Sequence, residues 1–111
     1  MHKSTKMYVS IDNLTFKTII GILPFEREKK QKVIVDIEFT YKFKKNQKDF
    51  IDYSHVANMA KLIIKKEKFK LIEDAIIYLQ RALKNEFKLN NLKVKITKPD
   101  ILKECLVSVS S

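Results

Sequence analysis

Four side chains with polar groups stand out from the sequence: Glu26, Tyr53, Glu73 and Lys98. The residues around each of them predict a half-buried position or a restricted backbone. A carboxylate suits a ligand that presents paired N–H donors, because its two oxygens accept both hydrogen bonds. A partly desolvated ammonium suits proton transfer, and a phenol stacks on or hydrogen-bonds to a flat heterocycle. Together these groups favour a site that holds a planar ring and moves protons beside it.

Lys98 is the clearest of the four. Apolar residues at positions 92, 94 and 96 alternate with polar ones and predict a strand, and Lys98 is the next residue on the apolar side. We therefore expect its ammonium to point inward just before Pro99 ends the strand. The alternative is that the strand has already ended and that Lys98 is a solvated loop residue.

Glu73 and Tyr53 stand at predicted helix starts. Glu73 flanks an apolar stripe that begins at Ile72, in a first helical turn where the helix dipole alone would favour a carboxylate. The functional alternative is a carboxylate that anchors a ligand at the end of the sheet. Tyr53 directly precedes the other predicted helix, where it is either a hydrophobic staple or a ring that contacts a ligand.

Glu26 lies in a short stretch with unusual backbone chemistry. Gly21 is the only glycine in the 111 residues, and Pro24 and Phe25 stand between it and Glu26. Glycine adopts backbone angles closed to other residues and proline restricts them, so this connection is shaped and can aim a side chain. The alternative is a solvated carboxylate in a charged connection.

Strands must position most of these groups. Alternation of apolar and polar residues over 32–43 predicts the longest strand. β-Branched and aromatic residues over 7–22 predict an earlier strand with a bulge or bend at Asp12–Asn13. We expect the two strands to pair as an antiparallel hairpin. The same patterns predict two shorter strands over 92–99 and 106–109.

Two helices are predicted between the hairpin and the last strands. Apolar residues at helical spacing predict one helix from Ser54, with Asp52 or Ser54 as N-cap, and a second helix from Ile72 to Phe87. The polar stretch Lys65–Lys70 separates them. The order is ββααββ, which predicts an α+β fold in which two helices cover one face of a four-stranded antiparallel sheet.

Length and composition predict a single domain over residues 1–111, located in the cytoplasm. The single Cys105 excludes an internal disulfide, the N-terminus has no apolar signal-peptide core, and no apolar run approaches the roughly 20 residues of a membrane span. Ile34 and the long second strand offer more apolar surface than a monomer requires. We therefore expect a symmetric homo-oligomer that joins sheets edge to edge.

The net charge of +10 admits a basic nucleic-acid-binding module as an alternative. The lysines are spread along every segment, however, and alternate with apolar residues as on a solvated face. The outward positions of the later strands are Lys93, Lys95, Thr97 and Ser108, without interleaved aromatic residues. This pattern argues against nucleic acid as a partner.

Five motifs in chain order resemble the dihydroneopterin aldolase family. They are "IIGILPFEREKKQKVIVDIEF", "IDYSHV", "FKLIEDAIIYL", "KITKPD" and "LVSVS". In turn they resemble the family's glycine–glutamate–glutamine signature, the tyrosine motif before helix one, the Leu-hydrophobic-Glu motif of helix two, the catalytic lysine strand and the last strand. The resemblance runs from Tyr8 to Ser110.

The resemblance implies the tunnelling fold, assembled as tetramers or octamers with active sites between subunits. It implies that Glu73, with Ile72 beside it, binds the 2-amino group and N3–H of a pterin. It also implies that Tyr53 reaches this pterin from the neighbouring subunit.

On the same resemblance, Glu26, Lys98 and Tyr53 are the catalytic residues of a retro-aldol cleavage. The substrate is 7,8-dihydroneopterin, and the products are 6-hydroxymethyl-7,8-dihydropterin and glycolaldehyde, in folate biosynthesis. The substrate's own C=N bond takes up the electrons, so no metal, Schiff base or other cofactor is expected. Gln31 supports the loop, and Gly21 permits the turn that brings Glu26 beside Lys98.

The residues alone do not distinguish the aldolase from related enzymes of the same fold. Dihydroneopterin triphosphate 2'-epimerase shares the fold and the anchor glutamate. Zinc-dependent pterin enzymes of this fold are disfavoured, because His2, His55 and Cys105 are the only imidazole and thiol groups. The loop Lys44–Asp52 is shorter than is usual in the family, and the segment after Pro99 lacks its small residues, which leaves side-chain specificity and ring size open.

Overall fold

The computed structural model of the chain describes residues 4–45 and 50–111. The elements within these ranges are β1 (Ser4–Thr18), α1 (Pro24–Glu28), β2 (Gln31–Lys44), α2 (Tyr53–Glu67), α3 (Ile72–Glu86), β3 (Asn90–Lys98) and β4 (Val107–Ser110). Apart from the short α1, their order is the predicted ββααββ. The shortened loop Lys44–Asp52 includes residues 46–49, which lie outside the described residues. None of the helices described is long and apolar enough to cross a membrane.

The four strands form one antiparallel sheet in the order β1-β2-β3-β4. In the long hairpin of β1 and β2 the register shifts between Ile11 and Leu14. At this bulge Asn13 has a φ of 60°, and its backbone N–H donates to Asp36 Oδ1 at 2.8 Å. The predicted bulge at Asp12–Asn13 is therefore confirmed, at a residue type that tolerates left-handed backbone angles.

Helices α2 and α3 cover one face of the sheet, as their apolar spacing predicts. The inward residues of the strands and the apolar stripes of both helices form one core. Its main members are Val33, Val35, Ile37, Phe39, Val56, Ala60, Ile64, Ile72, Ala75, Ile76, Leu79, Leu83, Leu92, Val94 and Ile96. Asp52 caps α2, because its carboxylate accepts the backbone N–H groups of Ser54 and His55.

The connection between β1 and β2 differs from the prediction. β1 ends at Thr18 instead of continuing to position 22, and the connection contains α1, which the sequence patterns did not predict. Within this connection Gly21 has a φ of +125°. Pro24 lies in the first turn of α1, where no backbone donor is needed. A helix of five residues is too short to show an apolar period.

Candidate active site

A buried ion pair joins the β1–β2 connection to the end of β3. Lys98, the last residue of β3, donates from Nζ to Glu26 Oε2 at 2.7 Å. The side chain of Glu26 is 2% exposed and that of Lys98 is 12% exposed. Lys98 is therefore a largely buried strand residue and not a solvated loop residue.

Three groups donate to the Glu26 carboxylate. Besides Lys98, Gln31 Nε2 donates to Oε2 at 2.8 Å and the Leu23 backbone N–H donates to Oε1 at 3.2 Å. Burial by itself raises the pKa of Glu26. The hydrogen bonds from Lys98, Gln31 and Leu23, together with the charge of Lys98, outweigh burial and leave this pKa below its usual value. Glu26 is therefore ionised at neutral pH.

Gly21 makes room for this carboxylate. Its φ of +125° lies in a region that residues with a side chain rarely adopt. A Cβ at this position would overlap the Glu26 carboxylate, whose Cδ and two oxygens are the nearest atoms. The one glycine of the chain thus permits both the backbone turn and the close approach of the acid.

Gln31, the first residue of β2, links the acid to the backbone beside Gly21. Its Nε2 donates to Glu26 Oε2 and also to the backbone carbonyl of Ile20, at 2.7 Å. One amide group therefore holds both the functional side chain and the turn that makes room for it. Of the predicted site residues, the structure brings together Gly21, Glu26, Gln31 and Lys98.

The other predicted site residues lie on α2 and α3. Tyr53 is the first residue of α2 and is 66% exposed. Glu73 is exposed in the first turn of α3, whereas Ile72 before it is buried. Among the hydrogen bonds and ion pairs of residues 4–45 and 50–111, none joins Tyr53 or Glu73 to the pair of Glu26 and Lys98. Their roles in binding and catalysis stay predictions.

At this end of the sheet a carboxylate and an ammonium are in contact, an arrangement that suits proton transfer. Elsewhere, the described part of the chain holds no group of three or more His, Cys, Asp or Glu residues close enough to bind a metal ion. Cys105 is a free, exposed thiol.

The sheet face away from the helices carries mixed charge. Lys93 and Lys95 on β3 stand directly opposite Glu38 and Asp36 on β2. Lys93 Nζ lies 3.9 Å from Glu38 Oε1. The positive charge is thus partly balanced here and does not form the basic stripe expected of a nucleic-acid-binding face, which disfavours that alternative.

A family model and one relative match most of the chain. The model described as FolB: Dihydroneopterin aldolase matches residues 9–110. A dihydroneopterin aldolase of Haemophilus influenzae is 27% identical over 96 residues, which are 82% of this chain and 81% of the relative.

Two crystal structures share the fold of nearly the whole chain. The E. coli dihydroneopterin aldolase in complex with neopterin has a TM-score of 0.80 at 22% identity, covering 95% of this chain and 98% of that one. A Burkholderia dihydroneopterin aldolase bound to guanine has a TM-score of 0.76 at 16% identity, covering 98% and 89% respectively. At these identities the likeness shows the fold, and the predicted fold class is confirmed.

Gly21→Ala should lower the free energy of unfolding, because the new Cβ would meet the Glu26 carboxylate and the backbone would be strained. Such strain costs on the order of 1–3 kcal/mol. In a Glu26→Ala background the overlap is gone, so the same glycine substitution should cost less. Urea unfolding of the parent, both single variants and the double variant measures this coupling. An equal cost in both backgrounds would contradict the close-approach role.

Acid should remove the stabilisation that the Glu26 carboxylate provides. Its pKa is lower in the folded chain than in the unfolded chain, so this stabilisation is complete above the unfolded pKa and is lost as the pH falls through the folded pKa. We expect the free energy of unfolding to decline below about pH 4.3, the usual glutamate pKa. The free energy of unfolding of Glu26→Gln should decline less steeply over the same pH range. Glu28→Gln, at an exposed position of α1, is the control, and equal slopes for Glu26→Gln and the parent would refute the expectation.

Proposed function

Because the chain belongs to the dihydroneopterin aldolase family, we propose that it cleaves 7,8-dihydroneopterin by a retro-aldol reaction. The products are 6-hydroxymethyl-7,8-dihydropterin and glycolaldehyde, and the reaction is a step of folate biosynthesis. The observation that carries the proposal is the buried pair of Glu26 and Lys98, whose charged atoms lie 2.7 Å apart. Proton transfer to and from a bound substrate needs an acid and a base that the protein holds in place.

The reaction breaks the bond between the first two carbons of the substrate's side chain. The hydroxyl on the second carbon loses its proton, and this carbon becomes the aldehyde carbon of glycolaldehyde. The bonding electrons move toward the ring C=N bond, and a proton then adds to the first carbon. Since the ring itself accepts the electrons, the protein must supply anchoring and proton transfer.

We assign the proton transfers to Lys98, held in place by Glu26, with Tyr53 completing the site. Since the ring of the substrate accepts the electrons, Lys98 need not form an imine with it. The proposal therefore assigns no step to a Schiff base or to a metal ion. Borohydride, which traps imines, should leave activity intact when it is added during turnover, and so should a chelator.

Glu73 is the proposed anchor of the pterin ring, together with Ile72. It is exposed in the first turn of α3, where a ligand's 2-amino group and N3–H can reach both carboxylate oxygens. Neopterin and guanine, the ligands in the E. coli and Burkholderia structures, both present an amino group beside a ring N–H. This shared edge supports a carboxylate as the anchor.

Lys98→Ala should lower the rate of cleavage on the order of 100-fold or more while pterin binding persists, because the proton-transfer group is gone. Glu73→Ala should instead abolish pterin binding. Lys95→Ala and Asp74→Ala are matched controls at exposed neighbouring positions. The measurements are product formation from 7,8-dihydroneopterin, pterin fluorescence for binding, and circular dichroism for the folded fraction.

Each part of this assignment has its own contradicting outcome. Unchanged cleavage in Lys98→Ala would refute the proton-transfer role, and unchanged pterin binding in Glu73→Ala would refute the anchor. Turnover of dihydroneopterin triphosphate in place of dihydroneopterin would favour the epimerase.

We also propose that identical chains assemble as a ring, a tetramer or an octamer, with sites between subunits. Ile22, Phe25 and Leu106 are 62%, 57% and 72% exposed. Leu106 directly precedes β4, whose first residue pairs with Lys98, so it lies at the same end of the sheet. Large apolar side chains exposed together are typical of surfaces that a partner covers. Tyr53 is exposed as well, so its ring is free to contact a neighbouring subunit.

Mixed assemblies of Lys98→Ala and Tyr53→Phe chains test whether each site draws residues from two subunits. Each variant alone should be nearly inactive. If neighbours share sites, random mixing restores an intact lysine and tyrosine at about one quarter of the sites. Cleavage activity after joint refolding measures the recovery, and separate refolding of each variant is the control. Well-mixed assemblies without recovered activity would rule out the shared site.

A further inference from the structure

The side chain of Arg27 links the β1–β2 connection, which carries Glu26, to the loop between α2 and α3. Its Nη1 donates to the backbone carbonyl of Gly21 at 3.1 Å and to that of Phe69 at 3.3 Å. The backbone N–H of Gly21 also donates to the Phe69 carbonyl, at 3.0 Å. The half-buried Arg27 therefore helps to join two backbone segments that are far apart in the sequence.

The use of arginine at this position has a physical reason. Arg27 and Arg81 are the only arginines among the 23 basic residues, and the others are lysines. A guanidinium is planar and donates in several fixed directions, so it can hold two carbonyls at once, whereas an ammonium is a point charge on a flexible stem. The sequence patterns do not identify Arg27 as a site residue. The one hint in the sequence is that an arginine stands here in a chain whose basic residues are nearly all lysines.

The Phe69 carbonyl lies just ahead of the helix that carries Glu73. α3 begins at Ile72, and Leu71 at its N-cap position provides no side-chain hydrogen bond. The ring of Phe69 contacts Tyr78 of α3, with ring centroids 5.6 Å apart. The start of α3 is thus held by the anchorage of the preceding loop, and Arg27 supplies part of this anchorage.

We propose that Arg27 is a positioning residue, which keeps the pair of Glu26 and Lys98 in register with a pterin ring anchored on Glu73. This inference rests on the proposed function. Glu26 directly precedes Arg27, and Glu73 follows Phe69 by four residues. A shift at either end of the Arg27 contact therefore moves one half of the site relative to the other. A misplacement of about 1 Å costs on the order of 100-fold in rate.

Substitutions of Arg27 test this role through turnover and binding together. Arg27→Met removes the donors and keeps an apolar stem, Arg27→Lys keeps the charge, and Arg81→Met at an exposed position of α3 is the control. We expect kcat for dihydroneopterin cleavage to fall on the order of 10- to 100-fold in Arg27→Met, less in Arg27→Lys, and not in Arg81→Met. The Kd of 6-hydroxymethyl-7,8-dihydropterin should change by less than about twofold, because the Glu73 anchor is intact.

Hydrogen exchange at the Gly21 amide reports the contact between the two segments without any turnover. This amide donates to the Phe69 carbonyl that Arg27 also contacts. We expect it to exchange faster in Arg27→Met than in the parent and at the parental rate in Arg81→Met.

The outcomes separate the inference from the proposed function. A parental kcat in Arg27→Met would overturn the inference, and so would a kcat that falls only in proportion to pterin binding or to the folded fraction. A parent chain that neither binds pterin nor cleaves dihydroneopterin would overturn the proposed function. In that case, exchange at Gly21 would still decide whether Arg27 ties the connection to the loop.

Discussion

The buried contact between Glu26 and Lys98 constrains much of this structure. A carboxylate that is 2% exposed has lost nearly all its hydration, and removal of its partner from such a pair costs on the order of 3–5 kcal/mol. The ammonium, the Gln31 amide and one backbone N–H replace that hydration. Apolar side chains of similar volume are often as stabilising as a buried ion pair. Stability alone therefore gives little reason for the pair, whereas the proposed proton transfer would give a direct one.

The strand order explains how groups from separate segments reach one place. β2 begins at Gln31 and runs antiparallel to β3, which ends at Lys98. The start of one strand and the end of its neighbour therefore lie at the same end of the sheet. The connection from β1 enters β2 at this end and carries Glu26 with it. Gly21 stands where the backbone and the acid approach too closely for a side chain.

A single chain supplies a closed half and an open half of the proposed site, which Tyr53 of a neighbouring chain would complete. In the closed half, the charges of Glu26 and Lys98 compensate each other, so the pair tolerates burial. In the open half, Glu73 is exposed, so water can solvate its carboxylate, and in the proposed function paired donors of the ligand would replace that water. A ligand without such donors would leave the acid unsatisfied, which would give the proposed anchor its selectivity. The connection through Arg27 matters because it lies between the two halves.

Local patterns in the sequence determined the strands, the helices, the bulge at Asn13 and the cap at Asp52, since each depends on residues nearby in the chain. The types of residue also determined which groups could react. The patterns missed α1, which is too short to show a period, and they missed Arg27, whose partners are backbone carbonyls 6 and 42 residues away. The family resemblance implied that Glu26 lies beside Lys98, but no local pattern did, and only the tertiary structure shows the contact, because the two residues are 72 positions apart. A contact at that separation depends on strand order and on the path of a connection, and neither leaves a periodic trace in the sequence.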